Sequence, residues 1–165
     1  MAASPVSPIP QDMHTLTPYL ICADASAAID FYQRAFGAVE LNRIAGPDGR
    51  LMNAMLRIGD SSLMLMDENV EWGALGPTLL KGTPVTIHVY VEDVDAAFAR
   101  AVKEGATVKM PPTDMFWGDR YCALTDPSGH SWSIATHIKD VSTEEAQAAA
   151  SSMGACPDAA PEQST

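Results

Sequence analysis

Two short stretches carry the residue types that could do chemistry. Val85–Val91 reads V-T-I-H-V-Y-V. Its period-two alternation puts Val85, Ile87, Val89 and Val91 on one face of a strand and Thr86, His88 and Tyr90 on the other. A Thr/His/Tyr face suits the wall of a partly closed cavity better than open solvent. An imidazole with an ordinary pKa near about 6.5 is a general-base candidate at neutral pH. His88 is therefore the candidate catalytic residue, and a hydrogen-bonded core histidine is the competing reading. The second stretch is Pro111–Gly118, P-P-T-D-M-F-W-G, followed by Asp119, Arg120 and Tyr121. Phe116, Trp117 and Tyr121 could close over a flat ligand, or serve packing or a dimer interface. Arg120 could clamp a carboxylate with two parallel hydrogen bonds, or pair with Asp119.

The elements that must position these residues follow from pattern and punctuation. Thr15–Ala23 reads as a strand, with Pro18 marking an edge or end. Asp24 is a good N-cap for a helix to about Phe36, and Gly37 stops it. Ala38–Ala45, Arg50–Ile58 and Ser61–Asp67 read as strands around Gly46-Pro47-Asp48-Gly49 and Gly59-Asp60 turns. Pro84–Val91 opens a second set. Asp93 or Asp95 caps its helix and Gly105 ends it. Ala106–Met110 is the next strand, Pro111–Gly118 a loop, and Asp119–Thr125 and Ser131–His137 close the set around Asp126-Pro127-Ser128-Gly129. Trp132 should face the core, opposite Ser133. Ser142 and Glu145 form a capping box before an Ala-rich helix.

The two sets match in sequence. Asp24-Ala-Ser-Ala-Ala-Ile resembles Asp93-Val-Asp-Ala-Ala-Phe at an offset of 69 residues, and Gly59 falls against Gly129 at 70. A period sustained across a helix, its stop and a hairpin reads as an internal duplication. The expected organisation is a disordered leader over residues 1–13, a β-α-β-β-β module over 14–67 and a linker over 68–83. A second module follows over 84–141, then the Ala-rich helix and a polar tail over 142–165. Trp72 is the linker's one large aromatic residue.

Composition narrows the partners. The 165 residues carry 21 acidic and 10 basic side chains, a formal net charge of −11. That field repels phosphate backbones and anionic membranes, so nucleic acid and membrane are not expected partners. No stretch approaches the ~20 apolar residues that span a bilayer. Three cysteines, Cys22, Cys122 and Cys156, show no zinc spacing. Cys22 and Cys122 read as small core residues, and a reduced cytoplasmic setting follows. No G-x-S-x-G, P-loop or G-x-G-x-x-G occurs.

A β-α-β-β-β unit present twice, with D-P-S-G-H-S-W in its last hairpin, resembles the vicinal oxygen chelate superfamily. That superfamily includes glyoxalase I, extradiol dioxygenases, fosfomycin-resistance enzymes and bleomycin-resistance proteins. Thr17–Gly37 and Met115–His137 look most similar to its PhnB-like branch, and the resemblance runs from about Leu16 to Val141. It implies an α+β fold in which tandem modules form a curled eight-stranded mixed sheet around a cleft, in a homodimer. It also implies metal ligands at Thr17, Met64, Thr86 and Ser133. None of these is a His, Asp, Glu or Cys, so no metal and no other cofactor is expected.

The candidate ligand wall is therefore Thr17, Tyr19, Met64, Thr86, Tyr90, Phe116, Trp117, Arg120, Tyr121 and Ser133, with Met66 and His137 on the same faces. Three functions stay open. The first is a metal-free cleft that binds a small organic molecule, for sequestration or resistance, its acidic field drawing a cation onto Trp117 or Trp72. The second is a glyoxalase-type lyase or isomerase with a non-standard metal site, His88 as base and Arg120 as anion clamp. The third is a non-catalytic structural or regulatory dimer.

Overall fold

Two aspartates begin the main helix of each half in the same way. In the computed structural model, which describes residues 6–10 and 13–152, Asp24 Oδ1 accepts from the Ala27 N–H at 2.8 Å. Asp93 Oδ1 accepts from the Ala96 N–H at 2.9 Å. Each such cap contributes about 1 kcal/mol. Asp95 is not the cap; it pairs with Arg120 instead. The next free helix N–H is met from a strand in both cases. Asp67 Oδ1 receives Ala25 N–H at 2.6 Å, and Thr136 Oγ1 receives Val94 N–H at 2.9 Å.

The first four strands are β1 (Tyr19–Cys22), β2 (Val39–Ala45), β3 (Leu51–Ile58) and β4 (Ser61–Asp67), with helix α1 (Ala25–Phe36) between β1 and β2. A short helix α2 (Pro77–Leu80) interrupts the expected linker. Strands β5 (Thr86–Tyr90), β6 (Thr107–Asp114), β7 (Asp119–Thr125) and β8 (Ser131–His137) follow, with α3 (Val94–Lys103) after β5. Helix α4 (Thr143–Ser152) closes the described chain, and Ser142 and Glu145 cap it reciprocally. Residues 1–5, 11–12 and 153–165 lie outside the described residues, and with them part of the expected leader, Cys156 and the end of the polar tail.

The fold is α+β, with eight strands in two mixed sheets of identical order, β1-β4-β3-β2 and β5-β8-β7-β6. These are the eight strands expected of the tandem modules, and within the chain their sheet is not closed, because the edge strands β1 and β5 do not pair. The first strand is shorter than expected. Pro18 lacks an N–H, its carbonyl still accepts from Met64, and regular pairing starts at Tyr19. The Pro111–Gly118 loop is corrected as well, since β6 runs on to Asp114. Strand β6 is a sheet edge, and register shifts on both sides of Met110 let Pro111 and Pro112 sit there without a missing ladder bond.

One core joins both sheets through α1 and α3. Ala28, Ile29, Tyr32 and Ala35 of α1 bury at helical spacing. Gly37 ends the helix at φ 67°, a conformation that suits glycine. Across the join, Trp132 of β8 packs on Phe36 at 4.7 Å and Tyr32 at 5.3 Å between ring centroids. Beside them lies a buried carboxylate. Asp126 accepts from the Tyr32 hydroxyl at 2.6 Å, the Trp132 indole N–H at 2.8 Å and the His130 N–H at 2.9 Å. The His130 ring reaches back to the Ile21 carbonyl at 3.1 Å.

Burying a charge is tolerable only when donors replace its water. Removing one donor from such a group costs about 1–3 kcal/mol. Tyr32→Phe should therefore lower the unfolding free energy by that amount, seen as a lower urea midpoint at an unchanged slope. An unchanged midpoint would show that the carboxylate is satisfied elsewhere.

Candidate functional site

Each sheet buries one face on the helices and leaves the other open. On the first sheet Leu20, Ala54, Leu56, Leu63 and Leu65 are in the core, so the alternate residues Tyr19, Met55 and Met64 stand on the open side. On the second sheet Cys122, Leu124, Trp132 and Ile134 are in the core. Residues His88, Tyr90, Tyr121 and Ser133 then share its open side.

The site is built on the second sheet. Parallel pairing sets His88 beside Ser133, and His88 Nδ1 shares a 2.7 Å hydrogen bond with Ser133 Oγ. Ser133 is buried while the His88 ring is exposed. That bond orients the imidazole, and its Nε2 has no protein partner among the described residues. Aromatic rings surround it. Tyr90 meets the imidazole edge-on at 4.8 Å, and Tyr121 stacks on it at 6.1 Å. Trp117 stands edge-on to Tyr121 at 5.9 Å, and Phe116 to Trp117 at 5.0 Å.

Asp119 holds this wall in place. It is buried, and three side chains donate to its carboxylate. They are the Tyr90 hydroxyl at 2.8 Å, the Trp117 indole at 3.1 Å and His137 Nδ1 at 2.9 Å. Burial raises its pKa, yet the three donors and the His137 charge outweigh burial and hold it below the usual carboxylate range. The same bond pushes the Tyr90 phenol above its ordinary value. His137 Nε2 also meets Asp140 at 3.0 Å. With a carboxylate at each nitrogen, the ring is satisfied only as the imidazolium. Hydrogen bonds to Asp140 and Asp119 raise its pKa accordingly.

The other expected positions are not all gathered here. Thr86 pairs with Ser131, two residues from the His88–Ser133 rung. Tyr19 and Met64 belong to the first sheet, and Thr17 to the segment that leads into it. Thr17 precedes β1 with a buried Oγ1 that has no hydrogen-bond partner among the described residues, and the Tyr19 hydroxyl donates to the Met52 carbonyl at 3.3 Å. No hydrogen bond or ring contact joins these three to His88 among the described residues. Arg120 alternates with Tyr121 and points to the helix side. It donates to both oxygens of Asp95 on α3 and to Asp114, so its fork is already filled. Trp132 lies in the core opposite Ser133, as its position in the strand requires. A cavity of about 880 Å3 runs along the free edge of β5, past Phe36 and Ile58, and reaches His88 and Tyr90.

Metal chemistry does not fit the four positions named for it. Two alcohols on different sheets, a thioether and a serine hydroxyl bound to His88 offer no anionic or imidazole donor. Cys22 and Cys122 are buried thiols, pushed up to about 12 and about 11 by burial first of all. They are inert at neutral pH. Sequence reading named Asp119 only as a partner for Arg120; its three real partners come from β5, the β6–β7 turn and β8, which no local spacing reveals.

The His137 clasp has a readable consequence. Its raised pKa means that its stabilising contribution is complete below the ordinary histidine value and fades as pH rises through the folded pKa. A proton NMR titration should place His137 above an unstructured histidine. Asp140→Asn should bring it down while leaving the Tyr90–Asp119 bond in place, and an unshifted titration would contradict the clasp.

Comparison with known proteins agrees with this geometry. Residues 13–134 match the family model described as the glyoxalase/bleomycin resistance protein/dioxygenase superfamily. An uncharacterised Mycobacterium tuberculosis protein is 50% identical over 142 residues, covering 84% of each chain. The crystal structure of TioX from Micromonospora sp. ML1 aligns with a TM-score of 0.60 at 29% identity, over 74% of this chain and 98% of that one. The PhnB protein of Bacillus cereus shares the fold, with a TM-score of 0.59 at 16% identity over 74% of this chain and 99% of its own. With two four-stranded mixed sheets, matching cap geometry and a family match across both, the chain belongs to the glyoxalase/bleomycin resistance protein/dioxygenase superfamily.

Proposed function

We propose that this protein binds a small organic molecule with a flat or aromatic part on the open face of the second sheet, without metal at the family's four ligand positions. The observation that carries this reading is the His88–Ser133 bond, set within a wall of Tyr90, Trp117 and Tyr121 that Asp119 fixes from behind. A rigid aromatic wall with one free ring nitrogen offers stacking and one directional hydrogen bond. The charge of −11 favours a neutral or cationic guest over an anion. Sequestration or resistance is the role that such binding would serve.

A second reading is an enzyme of the lyase or isomerase type. It is favoured by the unpartnered His88 Nε2, which is available to take a proton from a bound substrate. Arg120 has no part in it, because Asp95 and Asp114 hold its guanidinium.

A homodimer completes the proposal. The open faces leave Tyr19, Tyr90 and Phe116 exposed, and β5 ends its sheet unpaired. A second copy would cover these surfaces and close the site. No helix of the described residues is long and apolar enough to cross a membrane. A reduced, cytoplasmic setting fits the free thiols of Cys22 and Cys122.

The test is a screen of planar amines and neutral heteroaromatics by tryptophan fluorescence, repeated on variants. Trp117→Ala should weaken a hit about tenfold, in line with 1–2 kcal/mol of lost stacking. His88→Gln should weaken it less if the protein only binds, and should abolish turnover if it is an enzyme. A hit that binds Trp117→Ala as well as the parent protein would remove the wall from the site. A failure of every probe, with a stable dimer, would favour the structural reading.

A further inference from the structure

The two sheets end differently at one corresponding place. The turn Gly46–Gly49 is closed by Gly46 N–H to the Arg50 carbonyl and by Gly49 N–H to the Gly46 carbonyl. The turn Met115–Gly118 carries the same two bonds, from Met115 to Asp119 and from Gly118 to Met115. Asp48 therefore stands where the second turn has Trp117. In the second sheet the Trp117 indole fills the corner between the turn, Tyr121 and the Asp119 carboxylate. In the first sheet no side chain of the turn does so. A cavity of about 280 Å3 lies at that corner, and its lining includes Asp48, Arg50, Met66, Asp67, Glu68 and Trp72.

We propose that this cavity is a second small-molecule site, which takes a planar aromatic of about indole size carrying a carboxylate or carbonyl oxygen. Trp72 supplies the stacking face. It is 64% exposed, and its loop is built rather than loose: Trp72 N–H donates to the Asn69 side chain at 3.0 Å, and Asn69 pairs with Ala74. Met52 and Met66 give a polarisable floor. Arg50 supplies the charge. In place of the Asp119 carboxylate that receives an indole N–H, this corner has a guanidinium that wants an acceptor. Arg50 makes one long bond, Nη1 to the Glu68 carbonyl at 3.4 Å, and pairs with no carboxylate among the described residues.

Three carboxylates share the lining and keep their charge, but backbone N–H groups hold each of them in place. Asp67 receives the Ala25 and Leu51 N–H groups, Glu68 Oε2 the Gly76 N–H, and Asp48 Oδ1 the Arg50 N–H. The guest's oxygen is thus met by the Arg50 fork itself, whose donors outweigh the negative field of the lining only at that contact. This site lies on the other sheet from His88, so it stands or falls independently of the reading above.

The experiment titrates the isotope-labelled full chain with indole-3-carboxylate and reads the affinity by NMR at the Trp72 indole N–H and the Arg50 backbone N–H, both of this corner. The Trp72 signal should move at millimolar probe or below. Indole itself should bind at this corner several-fold more weakly, and Arg50→Gln should cost about tenfold. Asp48→Trp would fill the corner as Trp117 fills its own and should abolish binding; Trp72→Ala should weaken it, should the first variant fail to fold. An unmoved Trp72 signal, full affinity in both variants, or a tighter effect of tryptamine than of indole-3-carboxylate on the signals of this corner would overturn the proposal.

Discussion

The buried Asp126 carboxylate is the constraint on which the arrangement of this chain depends. A charge inside a protein core is costly unless donors take the place of water. Asp126 finds two of its donors on its own hairpin, Trp132 and His130, and the third on α1 of the other half, the Tyr32 hydroxyl. The carboxylate is satisfied only when the first helix lies against the second sheet. Burial and the same charge hold Tyr32 protonated, with its pKa raised well above the ordinary phenol value. The hydrogen-bonding requirement thus supplies direction, while Phe36, Tyr32 and Trp132 supply the apolar contact around it.

That docking decides where the functional surface can be. With α1 and α3 packed into one core, each sheet spends its inner face on helices and must leave the other open. On the second sheet the open face is ordered by another carboxylate. Asp119 fixes Tyr90, Trp117 and His137, so the aromatic wall beside His88 is held by hydrogen bonds and not by burial. Gly118 is part of that construction. A side chain there would collide with the Lys139 carbonyl, where the chain crosses the turn after β8. The two carboxylates divide the work: one joins the halves, and the other shapes the face that the joining leaves exposed.

Much of this was legible locally. Both N-caps, the Gly37 stop, the β7 and β8 strands and the capping box at Ser142 are signals within a few residues, and each is where the pattern puts it. The alternation of V-T-I-H-V-Y-V correctly separates His88 and Tyr90 from Ile87 and Val89, which pack on the core. What sequence did not show is non-local. Tyr32 and Asp126 are 94 residues apart. The separation of the two sheets depends on which edges meet, and no strand pattern encodes that. The double proline of β6 reads as a loop until its edge position and bulges are known. Arg120 reads as a ligand clamp until α3 places Asp95 against it.

The central claim is a ligand-binding face whose four family ligand positions cannot hold a metal. It is tested most directly by stripping the purified protein, reloading it with zinc, nickel, manganese or ferrous iron, and measuring bound metal after equilibrium dialysis. The account predicts no stoichiometric tight metal, and ligand binding that is unchanged by a chelator. One tightly held metal per chain, lost in the Thr86→Ala, Ser133→Ala protein, would contradict it.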